Sequence, residues 1–562
     1  MNKHNSRRHF LQKALFATGG IILAPNFISC KSDDDLGFNF DTTNFTTTKF
    51  KEGVASFDPT DSKVIIWTRY SGTTQEIVWE IATDSNFKNK IRDGKVTTNA
   101  DRDFTVAIEV TQLEENQKLY YRFVNIEDQE VSVIGETITL PKDASSAKLA
   151  VCSCSNYQAG LFNVYDAMAN SEADIIIHLG DYFYEYAAGG YGSTAENASL
   201  NRFHEPDREV ITLEDYRTRF KQYKSDVSLQ LAHQKKPFIC VWDDHEIAND
   251  AYKNGAENHD ETTEGSFETR KQNALKAYSE FLPFSRLQQD DNSLIYRNIN
   301  IGNLVNLIML DTRLIGRDKQ LDIFSYFGTS GFDVAAFQTD ISNPNRSILG
   351  ETQRNWLLNQ INASNAKWQV LGQQVLMGKM YIPAEMLTAF GASNFTEVLT
   401  ELVTIKSRLL QNDPTLTEQE KARVTTVLPY NLDAWDGYPA EREIIYNALN
   451  GKKIITLAGD THNAWSNTLK TLNNTEVGIE LATAGVSSPG FESFIGTDPT
   501  TVASFEQALT ILIDDLNYFD ASKRGFLMAT FTSTEVKSEW IFVDTILTSN
   551  YRTEIGNTIT YS

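Results

Sequence analysis

The sequence predicts an α/β (α+β) core of packed β-sheets flanked by helices, preceded by a small N-terminal β-sandwich domain. Three observations predict it. Between residues 49 and 141, short strand-like runs follow one another with no helical stretch among them. From Lys148 onward, apolar runs alternate with amphipathic segments, the pattern of α/β proteins. Several of those runs climb through hydrophobic residues and stop at Cys, Asp, His, Asn or Gln, as strands do when their carboxyl ends build a shared rim.

Taken in order, residues 1–29 read as an address and not as part of the fold. Ser6 to Lys13 carries the pair Arg7-Arg8 ahead of the apolar run Ala14 to Pro25, which resembles a twin-arginine export signal and is too short to span a bilayer stably. Phe27-Ile28-Ser29-Cys30 then resembles a lipoprotein cleavage box, with Phe27 in place of the usual leucine and Cys30 as the residue that would carry lipid. Lys31 to Asp35 is similar to acidic stretches that send lipoproteins of some bacteria to the cell surface. These features predict an exported protein, in the periplasm or at the cell surface. Its expected partners are the twin-arginine machinery and, through Cys30, a membrane. Export in the folded state would let a metal be loaded before translocation.

A chain of 562 residues is too long for one core, so at least two domains are expected. It carries 51 basic and 74 acidic side chains, a balance of −23. Taking away the leader's Lys3, Arg7, Arg8 and Lys13 leaves 47 against 74, or −27. A field of that sign repels polyanions, and no specific nucleic-acid binding is expected. Phosphate esters stay in reach, because bound multivalent cations reverse the sign locally.

Residues 30–48 are rich in Asp, Asn and Thr and read as a linker. The sandwich at 49–141 follows from VIIWTRY, EIVWEIAT, FTVAIEV, KLYYRFV and VSVIGETITL, separated by Asn-, Asp- and Gly-rich breaks. The second domain, 148–548, is built on KLAVCSCSN, ADIIIHLGDYFY, PFICVWDDHEIAND, LVNLIMLDTR, WQVLGQQ and KKIITLAGDTHN. Leu161 to Asn170, Glu268 to Glu280 and Thr352 to Ala363 have helical composition, and Met380 to Val427 is expected to form helices covering the rim. Cys152 and Cys154 sit too far apart on one face of a strand to form a disulfide. Unpaired thiols in an exported protein invite a metal explanation for Cys154, whereas Cys152 and Cys240 read as small buried hydrophobes.

Four strand endings together suggest a metal site. Cys154 and Asn156 close the first, Asp181 and Tyr184 the second, Asp244, His245 and Asn249 the third, Asp460 and His462 the last. Asp181 follows a glycine on a tight turn, and its two carboxylate oxygens can bridge two cations. A phenolate beside that shared carboxylate suits a hard ferric ion. Other residues near the motifs keep plainer readings. Trp242, Trp435 and Trp465 are expected as walls of the site, Tyr182 and Tyr186 as packing, and His178 as a hydrogen-bonded core histidine. His204, His233 and His259 lack partner spacing and are expected to be solvated.

The motifs also carry a resemblance. GVASFDPTDSKVIIWTR from Gly53, CSCSNYQAGLFNVY from Cys152, HLGDYFYEY from His178, WDDHEIAND from Trp242, LDTR from Leu310, AWDGYPAER from Ala434, LAGDTHNAW from Leu457 and the closing RGFLMATFTSTEVKSEWIFVDT stand in the order of the PhoD-type alkaline phosphatases, relatives of purple acid phosphatases within the metallophosphoesterases. The chain resembles that family from about residue 50 to 547. The resemblance implies a metallophosphoesterase core with a mixed centre of Fe3+ and Ca2+. Cys154, Asp181 and Tyr184 match the iron side, with His462 as a further ligand; Asp181 would bridge, and Asp244, Asn249 and Asp460 match the calcium side. It implies attack on phosphorus by metal-activated hydroxide. His245 either protonates the leaving alkoxide or binds phosphate. Asn156 and Arg442 are candidate phosphate-binding residues, and Arg313 is either a phosphate clamp or a structural ion-pair partner.

The function expected is hydrolysis of phosphomonoesters, phosphodiesters or both. One alternative is a diesterase specialised for a cell-wall or phospholipid-type substrate. Another, of a different class, is a catalytically inert surface-binding lipoprotein on the same fold, which the intact ligand set argues against.

Overall fold

The computed structural model describes residues 41–288, 291–329 and 331–562. The leader, Cys30 and most of the linker lie outside these residues. Two sheets carry the molecule. The nine-stranded sheet runs Thr553–Tyr561, Val536–Val543, Arg524–Thr532, Ser146–Cys152, Ile175–His178, Phe238–Cys240, Val54–Phe57, Val64–Arg69 and Thr105–Val110 from edge to edge. The seven-stranded sheet runs Arg297–Ile301, Val305–Met309, Trp368–Gly372, Ile454–Ala458, Glu476–Ala482, Ala464–Lys470 and Leu516–Asp520.

At the centre of each sheet the strands are parallel, and their apolar runs are buried on both faces, as Ile175-Ile176-Ile177 and Ile454-Ile455 illustrate. Leu149, Ile177, Val305, Val370, Leu457 and Leu481 share one core, which joins the two sheets face to face. Each such side chain removed from water contributes about 1.5–3 kcal/mol. Helices Asn163–Ala169, Val227–Lys235 and Phe267–Phe281 cover the outer face of the first sheet, and Gly350–Ala363 and Pro439–Asn447 cover the second. The architecture is therefore four layers, αββα.

The expected helices fall close to their sequence positions. Within Met380 to Val427 lie Ala384–Ala389, Phe395–Leu410 and Glu418–Thr425. Phe395–Leu410 buries Leu399, Leu402 and Ile405, one stripe of a helix face, in a core shared with Val502, Phe505 and Leu509 of Pro499–Leu512.

The N-terminal sandwich forms as expected, with one difference. Its outer sheet, centred on Glu76–Ala82 and Lys118–Asn125, packs Ile77, Trp79 and Phe123 against Val64, Ile66 and Ile108. Those last residues belong to the nine-stranded sheet, which the parallel pairing of Phe57 with Phe238 carries across from the core. Strands Lys90–Thr97 and Thr553–Tyr561, unread in the sequence, are half-exposed edges whose polar residues hide the period of two.

Candidate metal centre

The carboxyl ends of parallel strands from both sheets meet on one side of the molecule. Ser146–Cys152 delivers Cys154, Ile175–His178 delivers Asp181 and Tyr184, and Phe238–Cys240 delivers Asp243, Asp244 and His245. From the facing sheet, Ile454–Ala458 delivers Asp460 and His462. The turns that do this are strained: Cys154, Asp181, Asp460 and His462 have φ of 61°, 53°, 66° and 63°. Left-handed backbone at residues other than glycine costs energy and concentrates where a site over-determines it. Gly180 permits the tightest of these turns, since at φ 104° a Cβ would fall 2.5 Å from the Asp243 nitrogen.

Glu246 fixes the turn from the other side, accepting the backbone N–H groups of Asp181 at 3.0 Å, Asp243 at 2.7 Å and Tyr182. Nothing in its spacing marks it as a site residue, although it lies inside the WDDHEIAND motif.

Three groups of donors result. Cys154, Asp181 and His462 hold ligand atoms within 4.8 Å of one another, as do Asp181, Asp244 and His245, and Asp243, Asp244 and Asp460. Asp181 belongs to the first two and Asp244 to the last two. Tyr184 joins the first group: its hydroxyl donates to Asp181 Oδ2 at 3.0 Å and lies 2.9 Å from His462 Nε2, with Ser488 Oγ donating to it at 2.7 Å. The structure thus brings together Cys154, Asp181, Tyr184, Asp244, His245, Asp460 and His462. Asn249 lines the same cleft as Asp244, its amide donating to Glu257 at 3.2 Å.

These residues fit a bound cation on two counts. Asp181 Oδ1 is buried without a hydrogen-bond partner, and buried carboxylate oxygens are seldom left so. Burial also pushes the Cys154 thiol and the Tyr184 phenol well above their ordinary ranges, with Asp181 adding to both. Burial, with Asp243 and Asp433 behind it, raises Asp460 in the same way. Only a nearby positive charge lets such groups ionise together. In the third group that charge is already a guanidinium. Arg313 donates to Asp460 and Asp433 at 2.8 Å each and to Asp243, and lies 3.5 Å from Asp244. The metal fit therefore belongs to the first two groups.

His245 is held by Glu185, whose carboxylate lies 2.7 Å from Nδ1 and also accepts from the Asn249 backbone and the Asn258 amide at 2.8 Å. Burial works against the charged imidazole, yet Asp244, Glu185 and Asp181 together hold it well above its ordinary range. Glu185 was missed in the sequence because it follows the candidate ligand Tyr184 by one residue and has no spacing signature.

Several expectations need correction. Arg442 is not in the cleft: it is buried against Asp436 at 2.7 Å and the Met377 and Gly378 carbonyls. Arg313, fully buried beneath the cleft, takes the ion-pair role and not that of a clamp. Asn156 is also turned inward, donating to the Tyr191 carbonyl at 3.1 Å and accepting from the Gln158 nitrogen. Among the described residues, Lys319 is the one lysine or arginine lining the cleft, a space of about 700 Å³ that His245 and His462 also border. His204 and His233 are buried and hydrogen-bonded, to the Tyr186 carbonyl at 2.9 Å and the Tyr182 hydroxyl at 2.9 Å. His259 pairs with Glu264 at 2.9 Å. Trp242 and Trp435 lie in the core, the latter donating to Gln373. Trp465 does line a cavity, and Tyr186 borders the cleft instead of packing away from it. His178 is a core histidine, 2.7 Å from the Tyr165 hydroxyl, and Cys152 and Cys240 are free and buried.

A carboxylate shared by two donor groups, beside a thiol, a phenol and imidazoles at the strand ends of an αββα fold, marks a candidate metalloenzyme. Comparison with known proteins makes the class particular. Residues 149–540 match the family model of the PhoD-like phosphatases, and residues 37–141 match the model of their N-terminal domain. The chain belongs to the PhoD-like phosphatase family. It is 33% identical over 446 residues to alkaline phosphatase D of Bacillus subtilis (strain 168), a match spanning 76% of this chain and 66% of that protein, just under two thirds of its length. A solved structure of PhoD is similar with a TM-score of 0.73 at 28% identity, covering 92% of this chain and 91% of that one.

Proposed function

We propose that the chain is an exported alkaline phosphatase that hydrolyses phosphomonoesters, phosphodiesters or both, with Fe3+ and Ca2+ as its metals. The observation that carries this reading is the position of Asp181 in two donor groups at once, one with a thiol and a phenol, the other with a carboxylate and an imidazole. Cys154, Asp181, Tyr184 and His462 would hold the iron, and Asp181 and Asp244, with Asn249 and Asp460 nearby, the calcium. Metals held there would supply an acidified water and positive charge for the phosphoryl group.

The protein's own groups supply position. Asp181 would be the carboxylate shared by the two donor groups, and Glu246 holds its backbone in place. Glu185 occupies His245 Nδ1 and so orients Nε2, from which His245 would donate a proton to the leaving alkoxide. Lys319 would attract the phosphate into an otherwise acidic cleft. Residues 1–29 would act as the export signal and residues 30–48 as the linker, with Cys30 as the lipid anchor, placing the protein in the periplasm or on the cell surface.

The test is metal analysis of active protein beside a panel of mono- and diesters. Iron and calcium should be found, with a visible charge-transfer colour that is lost in Tyr184→Phe. Asp181→Asn should remove turnover while leaving the melting temperature measurable. A colourless, iron-free preparation with full activity rejects the metal assignment, and near-normal turnover by Asp181→Asn rejects the bridge.

A further inference from the structure

We propose that an apolar cavity beside the acidic cleft is a subsite for a long aliphatic chain carried by the phosphate ester, so that the substrate is an amphiphile. The inference rests on the phosphate-ester reading of the cleft. The cavity encloses about 790 Å³, within the range of ligand pockets. Its walls include Ile382, Met386, Leu387, Phe491, Leu509 and Ile513. It is continuous with the cleft, because Tyr191, Ile323, Phe324, Tyr430, Asp460 and His462 border both. A phosphoryl group seated at the donor groups would therefore have one polar and one apolar direction in which to place its ester substituents.

Among the described residues, Asp460 is the single carboxylate in the cavity lining, and no lysine or arginine joins it. A sugar or polyol would leave hydroxyls unpaired against such walls, a cost that an alkyl chain does not carry. The branched and thioether side chains of Leu387, Leu509, Ile513 and Met386 suit a flexible chain. The mouth supplies a second observation. Phe324, Phe327, Phe390 and Phe494 are 66%, 36%, 41% and 73% exposed, and all four line this cavity. Only Phe203 among the described phenylalanines is comparably exposed away from it. Exposed aromatics gathered at one opening mark a surface that receives apolar material.

The experiment uses the metal-loaded protein and 4-nitrophenyl alkyl phosphodiesters from methyl to decyl, kept below aggregation, with release of 4-nitrophenolate as the readout. Alkylphosphonates of the same lengths are titrated in parallel by calorimetry, and 4-nitrophenyl phosphate serves as a chain-free reporter of the cleft. Both kcat/KM and phosphonate affinity should rise about threefold to fourfold per added methylene until the cavity is filled. Leu387→Glu at the wall and Phe494→Glu at the mouth should each lower the decyl-to-methyl ratio toward one while the melting temperature is kept.

A ratio near one in the unaltered protein, or a gain that both variants leave intact, overturns the subsite. So does a gain given only by phenyl-bearing esters. If no ester is hydrolysed but phosphonate affinity still climbs with chain length, the phosphatase reading fails and the subsite stands. Flat phosphonate binding overturns the subsite even where 4-nitrophenyl phosphate is turned over.

Discussion

Asp181 is held in position because its neighbours fix the backbone around it. Two Glu246 oxygens collect three N–H groups from the turns on either side, and the Asp181 side chain is left with one oxygen on Tyr184 and one free. Glu185 does the same for His245. Glu185→Gln keeps the shape but removes the charge that orients the imidazole, so kcat should fall about 10- to 100-fold with little change in KM. The pH profile should shift with it, and a purely structural role would instead appear as a lowered melting temperature. The metal-type residues were legible in the sequence because Cys, Asp, Tyr and His at strand ends are informative by kind. Glu185 and Glu246 were not, because their task is to accept hydrogen bonds from groups that every residue has. Arg442 and Asn156 misled for the converse reason. They stand next to motif residues along the chain, but side-chain direction turns them toward Asp436 and the Tyr191 carbonyl.

At the scale of elements, function depends on strands that end in turns too tight for ordinary residues. Gly180→Ala places a methyl group against the Asp243 backbone at a φ that alanine tolerates poorly. The expected outcome is loss of metal binding together with several degrees of thermal stability, measured by metal content and calorimetry. The Met380–Val427 helices stand outside the two sheets, in a second core that borders the apolar cavity. Their existence was legible from composition, and their amphipathic stripes match the packing found. Their partner was not, since Pro499–Leu512 lies about a hundred residues further along and nothing in either helix names the other.

For the molecule as a whole, the core holds a charge it does not need for folding. Lys224 is buried among the rings of Phe57, Trp67 and Tyr182, 3.1 Å from His233 Nε2, with Cys240 nearby and no carboxylate paired to it among the described residues. Burial lowers its pKa from 10.5 to about 7. Between those values the unfolded lysine binds a proton that the folded one has released, so this group makes stability rise with pH, by up to about 1.4 kcal/mol per pH unit. The rise stops above 10.5, and below about 7 the full penalty remains. Lys224→Met should raise the melting temperature at pH 7 and flatten its climb toward pH 10, as followed by scanning calorimetry.

The pairing of Phe57 with Phe238 reaches further than a contact between neighbours. In chain order the N-terminal layer precedes residue 238, whose strand covers the edge of Val54–Phe57. The strand that closes it is the one leading to Asp243, Asp244 and His245. A chain trimmed to begin after residue 141 should present that strand as a raw edge, prone to self-association. Neither half is an exchangeable part, and the intact protein should melt in one transition.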